Sequence, residues 1–479
     1  MNRLSQPQLR HLYSRAAFGA TPAQLGEADG QPLRKVIRTL FADSHDYSPL
    51  TLDEDVTSKR EARQLMRDGM LDKEQLKLKI REAALAQRDL NVQWVDRMAG
   101  QKGALREKMA LFWHNHFACR INQRPRLVQH YVNTLRQHAL GNFGEMLLAV
   151  SKTPAMLQFL NNQQNRKNAP NENFAREVME LFTLGKGTAG SPNYTENDIK
   201  EAARAFTGWG YSPEGEFVFR QRQHDEGEKT IFSQTGTFQG DDVLKLLLKN
   251  PQTARYVTTK LYRELVSEQV DEQRVAELSR RFYKSNYDIT DLLETIFAAD
   301  WFYDAKNVGA HIKSPVELLA GVRHLVGVTF GEPQPQVFIQ RTLGQLLLYP
   351  PNVAGWPGGT NWIDSSSLLF RMKLPDYIFK NAQVAVQTKE DGDVNLQPID
   401  NKGGKQFTAK VDWPGFEQPF LLLTPDKLPD ALATCLLPWP LTAEQKKIVT
   451  DQLKPAQPVP DQIRTLTVTI MSLPEFQLS

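Results

Sequence analysis

Apolar residues recur at three- and four-residue spacing from Pro22 to Leu160, with few β-branched runs, and this rhythm predicts a succession of amphipathic helices. Between Ser58 and Gln101 the pattern is dominated by Arg, Lys, Glu and Gln of both signs, which predicts long solvated helices carrying i,i+4 ion pairs. Helical periodicity returns at Asn171–Lys186, Thr195–Thr207, Asp241–Asn250, Pro251–Val266, Asp271–Tyr283, Ile289–Ala299, Ser314–Val326 and Pro335–Leu348. Thr195 with Asp198 reads as a capping box, and Ser314-Pro315 places proline at a first helical position. Strand alternation is confined to two places. Phe217–Gln223 alternates, and with Thr230–Phe232 beyond the DEGE turn it predicts a hairpin; Val384–Phe420 mixes β-like pieces with a Gly403-Gly404 turn. The fold expected is mainly α: one large multi-helical domain over residues 1–479, with a helical body to 380, a loop-rich, partly β excursion over 381–424, and helices returning to the body over 425–479.

Composition narrows the class without naming a function. With 479 residues, 41% hydrophobic and 24% charged, the chain is an ordinary globular one, neither collagen-like, coiled-coil nor largely disordered. A net charge of +3 gives no support to nucleic-acid binding, and no nucleic-acid partner is expected. Cys119 and Cys435 are the two cysteines, so no disulfide framework and no cysteine metal site is encoded, although one bridge stays open. No run of apolar residues reads as a secretory signal or a transmembrane segment. A cytoplasmic location is therefore expected, with a periplasmic or secreted one as the alternative if a signal has been removed.

Several polar clusters could carry chemistry. In FWHNHF, a continuing helix would set His114 about 160° from His116, so the two could share an ion only if the backbone extends there. From Phe117 to Lys167 seven basic residues face one acidic residue, a candidate anion-facing surface or equally a solvated one. Six asparagines fall between Asn161 and Asn173, which suggests a hydrogen-bonding loop before a helix start, suited to an anion or a sugar hydroxyl. Asn173, Glu177 and Glu180 follow i, i+4, i+7, and two carboxylates a turn apart can ligate a hard cation or divide acid and base roles; a surface stripe with an Arg176–Glu180 pair fits the same spacing. On the expected hairpin, Arg220, Arg222 and His224 share a face, with Asp225 and Lys229 close by. In YPPNVAGWPGGTNWID, Trp356 and Trp362 require an ordered loop, either locked over a core or stacking on a ring. No Walker loop, G-x-S-x-G elbow, H-E-x-x-H or dinucleotide fingerprint is present.

HLYSRAAFGATPAQL, MALFWHNHFA, SKTPAMLQFLNN, NRKNAPNENFAREVMELFTLGKG, YTENDIKEAARAFTGW, HDEGEKTIF, TGTFQGDDV, IKSPVELLAG, GQLLLYPPNVAGWPGGTNWID and SLPEFQ run in order from His11 to Gln477. Together they resemble the bacterial family known as domain of unknown function 1800, over nearly the whole chain. The resemblance implies one family domain and supplies no reaction. It further implies a possible companion protein similar to the alkaline phosphatase and sulfatase superfamily, which members often neighbour.

Taken together, the clusters point to an enzyme of hydrolytic or oxidative type acting on an anionic or hydroxyl-rich substrate, with a divalent metal (zinc, iron or manganese) as the candidate cofactor. His116, Glu177 and His224 are the candidate metal ligands, with His114 as an alternative, and Glu180 and Asp225 the candidate catalytic carboxylates. Asn161, Asn162, Arg166, Lys167, Asn171, Asn173, Arg176, Lys229 and Trp356 are the candidate substrate contacts. The alternative is a non-enzymatic binding or scaffold protein that works with the companion or with an extracellular polymer.

Overall fold

The computed structural model describes residues 3–53, 56–100, 102–188, 190–380 and 408–479. The fold is mainly α: among the described residues there are twenty-two α-helices and four two-stranded antiparallel sheets. Apolar side chains from Leu4 to Phe476 pack into one continuous cluster, so the first and last segments of the chain share a core. Helix Gln6–Ala16 packs on helix Leu428–Leu436, and the end of the chain pairs with the stretch before Ser314 through Lys313 N to Gln477 O at 2.9 Å and Ser479 N to His311 O at 2.9 Å.

Capping chemistry sets the helix starts where the sequence places them. Thr195 accepts from Asp198 N at 3.1 Å while Asp198 accepts from Thr195 N at 2.8 Å, opening helix Glu196–Ala205. Ser314 and Glu317 form the same reciprocal pair at the head of Pro315–Val326. Other expectations need correction. The charged stretch forms helices Lys59–Arg67 and Lys73–Ala99, but the second is not a solvated rod, because Leu90, Trp94, Val95 and Met98 of its last turns are fully buried. Strand Phe217–Phe219 pairs upstream with Trp209–Tyr211, whereas Lys229–Ile231 pairs with Gln234–Gly236, so two small hairpins replace the expected one. Gln221–Gln223 is a 3-10 turn, and Arg220, Arg222 and His224 therefore share no strand face. Of the expected C-terminal excursion, residues 381–407, including the Gly403-Gly404 turn, lie outside the described residues. Its remainder supplies strand Ala409–Val411 against Val328–Phe330, then helix Trp413–Glu417.

Both cysteines are free thiols, Cys119 buried and Cys435 half-buried. No helix among the described residues is long and apolar enough to cross a membrane.

Candidate active site

Helix Ala104–His116 runs without a break through both histidines, which therefore face different neighbours. His114 Nε2 accepts from Leu348 N at 3.1 Å, which leaves Nδ1 to donate to Tyr131 Oη at 3.4 Å, and Tyr131 donates in turn to Phe117 O at 2.5 Å. Burial depresses its pKa to about 3, so His114 is a neutral, locked core group. His116 donates from Nε2 to Phe182 O at 3.1 Å, and its buried Nδ1 has no partner. Burial first and the nearby Lys260 charge second hold its pKa well below the usual value, so Nδ1 carries a free lone pair. Asn115, between them, clasps the tryptophan loop: its Oδ1 accepts from Trp356 N at 2.7 Å and its Nδ2 donates to Trp356 O at 3.2 Å. Trp356 itself is buried edge-on to His114 at 5.4 Å, which commits its ring to the core.

NENFAREVMELFT forms a short α-helix, Asn173–Glu177, that widens into a π-helical turn, Val178–Thr183. Leu184 N reaches back to Met179 O at 2.8 Å, and Thr183 Oγ1 donates to Val178 O at 2.7 Å. Such π turns are frequent at functional sites. Here the turn carries Glu177 and Glu180, both half-buried. Burial and the neighbouring Glu180 push the Glu177 carboxyl up, whereas Glu180 accepts from Tyr194 Oη at 2.9 Å and pairs with Lys186 at 2.9 Å.

Helix Pro251–Leu265 brings up the groups that sequence reasoning missed. Tyr256, Lys260 and Glu264 fall at i, i+4, i+8, and all three are half-buried on one face. Tyr256 lies 6.4 Å from the His116 ring and within the field of Glu180; burial chiefly raises its pKa to about 12. Gly185 gives Tyr256 its room: a Cβ there would stand 2.8 Å from the phenol ring. Lys260 Nζ sits 5.4 Å over the same ring. Among the described residues it has no carboxylate partner and no hydrogen-bond acceptor, and burial, reinforced by Arg263, lowers its pKa to about 8. One helix face thus brings Lys260 within the field of His116 and Tyr256 within the field of Glu180.

At the far end of the stripe, Glu264 meets His311 and Glu317, with ligand-capable atoms of all three within 4.8 Å of one another. This is the grouping of His, Cys, Asp and Glu side chains that the structure assembles among the described residues, and none of His116, Glu177 and His224 belongs to it. Glu317 Oε1 is paired with Lys108, and its Oε2 accepts from Ser314 N at 2.6 Å and contacts His311 Nε2 at 3.1 Å. Burial pushes Glu317 up, but the Lys108 and His311 charges together with those hydrogen bonds outweigh it and hold the carboxyl well below its usual range. Burial raises Glu264. A divalent cation here would have to displace the Lys108 ammonium, with Arg15 also near Glu264, so the charges present already suit a metal-free ion cluster. The sequence does signal these residues faintly: Glu317 completes a capping box, and Tyr-x3-Lys-x3-Glu runs down one helix face.

The other candidate residues are placed elsewhere or already engaged. His224 Nδ1 lies 3.0 Å from Thr207 O and 3.2 Å from Thr207 Oγ1, at the end of helix Glu196–Ala205. Asp225 is held by Arg204 at 2.7 and 3.1 Å, which lowers its pKa, and Lys229 donates to Asp225 O at 2.5 Å and Gly227 O at 2.9 Å. Arg176 spans Glu196, at 2.9 and 2.8 Å, and Glu172, at 3.1 Å, in place of Glu180. The asparagine loop is spent on the fold: Asn162 donates to Phe206 O and Trp209 O at 3.4 Å, Asn171 N donates to Asn165 Oδ1 at 2.9 Å, and Asn173 donates to Leu160 O at 3.2 Å. Asn161 and Lys167 are exposed, and Arg166 lines an arginine-rich cleft.

A large helical protein with a partly buried stripe of titratable side chains is the class that this fold and site define. The chain belongs to the family described as Protein of unknown function (DUF1800), whose family model matches residues 11–478. No curated protein and no solved structure matches it.

Proposed function

We propose that the protein is an enzyme, acting by proton transfer on an anionic or hydroxyl-rich substrate at the Tyr256–Lys260 face. The observation that carries this reading is the unpaired, half-buried Lys260 amine beside His116, whose buried Nδ1 is also without a partner. An amine that is partly neutral near pH 8 takes a proton from water or a substrate hydroxyl far more readily than a surface lysine does. Glu177, with its carboxyl pushed up, is suited to return a proton to a leaving oxygen, and neutral His116 to accept a hydrogen bond from the substrate. Opposite shifts of this kind in one neighbourhood are what hydrolysis at a polar bond requires. A second reading keeps zinc, iron or manganese as a cofactor for Lewis-acid or oxidative chemistry, and at the Glu264, His311 and Glu317 grouping such an ion would have to displace the Lys108 ammonium. Joint work with a phosphatase- or sulfatase-like companion rests on the family resemblance alone.

The test is a screen of phosphate, sulfate and carboxylate esters and glycosides, with and without those three metals, against the native protein, Lys260→Met and Glu177→Gln. An activity whose base limb lies near pH 8 and that falls by about 10²-fold or more in Lys260→Met supports the proposal. An activity that both variants retain in full contradicts it.

A further inference from the structure

Away from the Lys260 face, a cleft of about 580 Å³ opens between the head of helix Lys59–Arg67, the head of helix Pro125–His138 and the Trp209–Phe219 hairpin. Among the described residues five arginines line it, Arg60, Arg124, Arg126, Arg166 and Arg220, against two carboxylates, Glu61 and Glu214. Its volume lies within the range of small-ligand sites.

How the arginines are held matters more than their number. Arg124 donates from Nη1 to Gln158 Oε1 and, at 3.2 Å, to Tyr211 Oη; Tyr211 in turn donates to Gln158 at 2.8 Å. Arg220 donates from Nη2 to Tyr211 O at 2.9 Å. Both guanidiniums are thus oriented by neutral acceptors, which fix direction without cancelling charge. Arg166 and Arg60 are exposed at the rim, and among the described residues none of these four arginines is paired with a carboxylate. Elsewhere Arg176, Arg204, Arg281 and Arg136 sit on carboxylates, and the buried Arg15 and Arg106 are enclosed by backbone carbonyls, whereas the cleft arginines face open space. Guanidiniums held in place and left unneutralised around a concavity have the geometry for bidentate capture of oxyanions.

We infer that this cleft binds a ligand carrying two or more oxyanion groups along a short chain. The site stands independently of the Lys260 proposal, and either can fail alone. Phosphate, sulfate and carboxylate share this chemistry, so the experiment separates them: calorimetric titration of the full-length protein with tripolyphosphate, a sulfated tetrasaccharide and a tetragalacturonate, at about 50 mM and about 300 mM salt. Binding of at least one probe is expected, weakened at the higher salt, and reduced roughly threefold to tenfold by each of Arg60→Gln and Arg166→Gln. Both positions are exposed, so the variants are expected to melt as the native protein does. No binding of any of the three at low salt, or binding that neither substitution weakens, would overturn the inference.

Discussion

A half-buried lysine amine is best served by a carboxylate or several acceptors, and Lys260 has the face of Tyr256. The consequence for stability has a definite sign. Its folded pKa, about 8, lies below the unfolded value of 10.5, so the unfolded state holds the proton more tightly across that interval. The cost of burying the ammonium is complete below pH 8, shrinks as pH rises toward 10.5, and is gone above it. Solvent screening at a half-buried site leaves about 1 to 2 kcal/mol of that cost. Lys260→Met should therefore be more stable than the native protein at pH 7, with the advantage closing as pH passes 10.5. Urea midpoints across this range check it, and a variant less stable at pH 7 would mean that the amine is paid for by contacts of its own. His114 marks the contrast within one helix, since both its ring nitrogens are used and nothing about it calls for a ligand.

At the scale of elements, one loop and one π turn flank the histidine helix. Asn115 clasps both backbone groups of Trp356, and Gly355, at φ +81°, packs so tightly on Asn115 that a Cβ would collide with it. Asn115→Ala removes both bonds and leaves partly buried backbone groups unpaired, at a cost of about 1 to 3 kcal/mol. Faster proteolysis between residues 350 and 362, with a lower melting temperature, is the expected outcome; unchanged cleavage would show that the loop is held by its tryptophans alone. Helix starts were legible in the sequence because capping is local, as at Thr195 and Ser314. The hairpins were not, because Phe217–Phe219 pairs back to Trp209–Tyr211, a strand too short to alternate visibly. Nor was the π turn, whose i to i+5 bond leaves no mark on the spacing of FAREVMELF.

Across the whole molecule, the site is assembled from stretches that look bland alone. His116, Glu177 and Glu180 stand out in the sequence by local polarity, and the fold does bring their segments together around Tyr256. Lys260 and Glu264 hide in an ordinary amphipathic helix, while His311 and Glu317 hide in a helix start, and only tertiary packing joins them. His224, Asp225 and Lys229 form an equally polar cluster, but their neighbours satisfy them, which spacing could not reveal. Inside the helical body some buried charge is matched by a carboxylate, as Arg136 is by Glu107 at 2.6 Å, and some by backbone carbonyls alone, as Arg15 and Lys313 are, whereas Lys260 has neither among the described residues. The most direct measurement is the pH dependence of acylation of every lysine in the native protein, read residue by residue by mass spectrometry with Lys260→Met as the assignment control. Half-maximal labelling of Lys260 near pH 8, below the pH at which ordinary surface lysines are labelled, is the expected result. Labelling of Lys260 in step with those surface lysines would contradict the assignment of a reactive amine to this face.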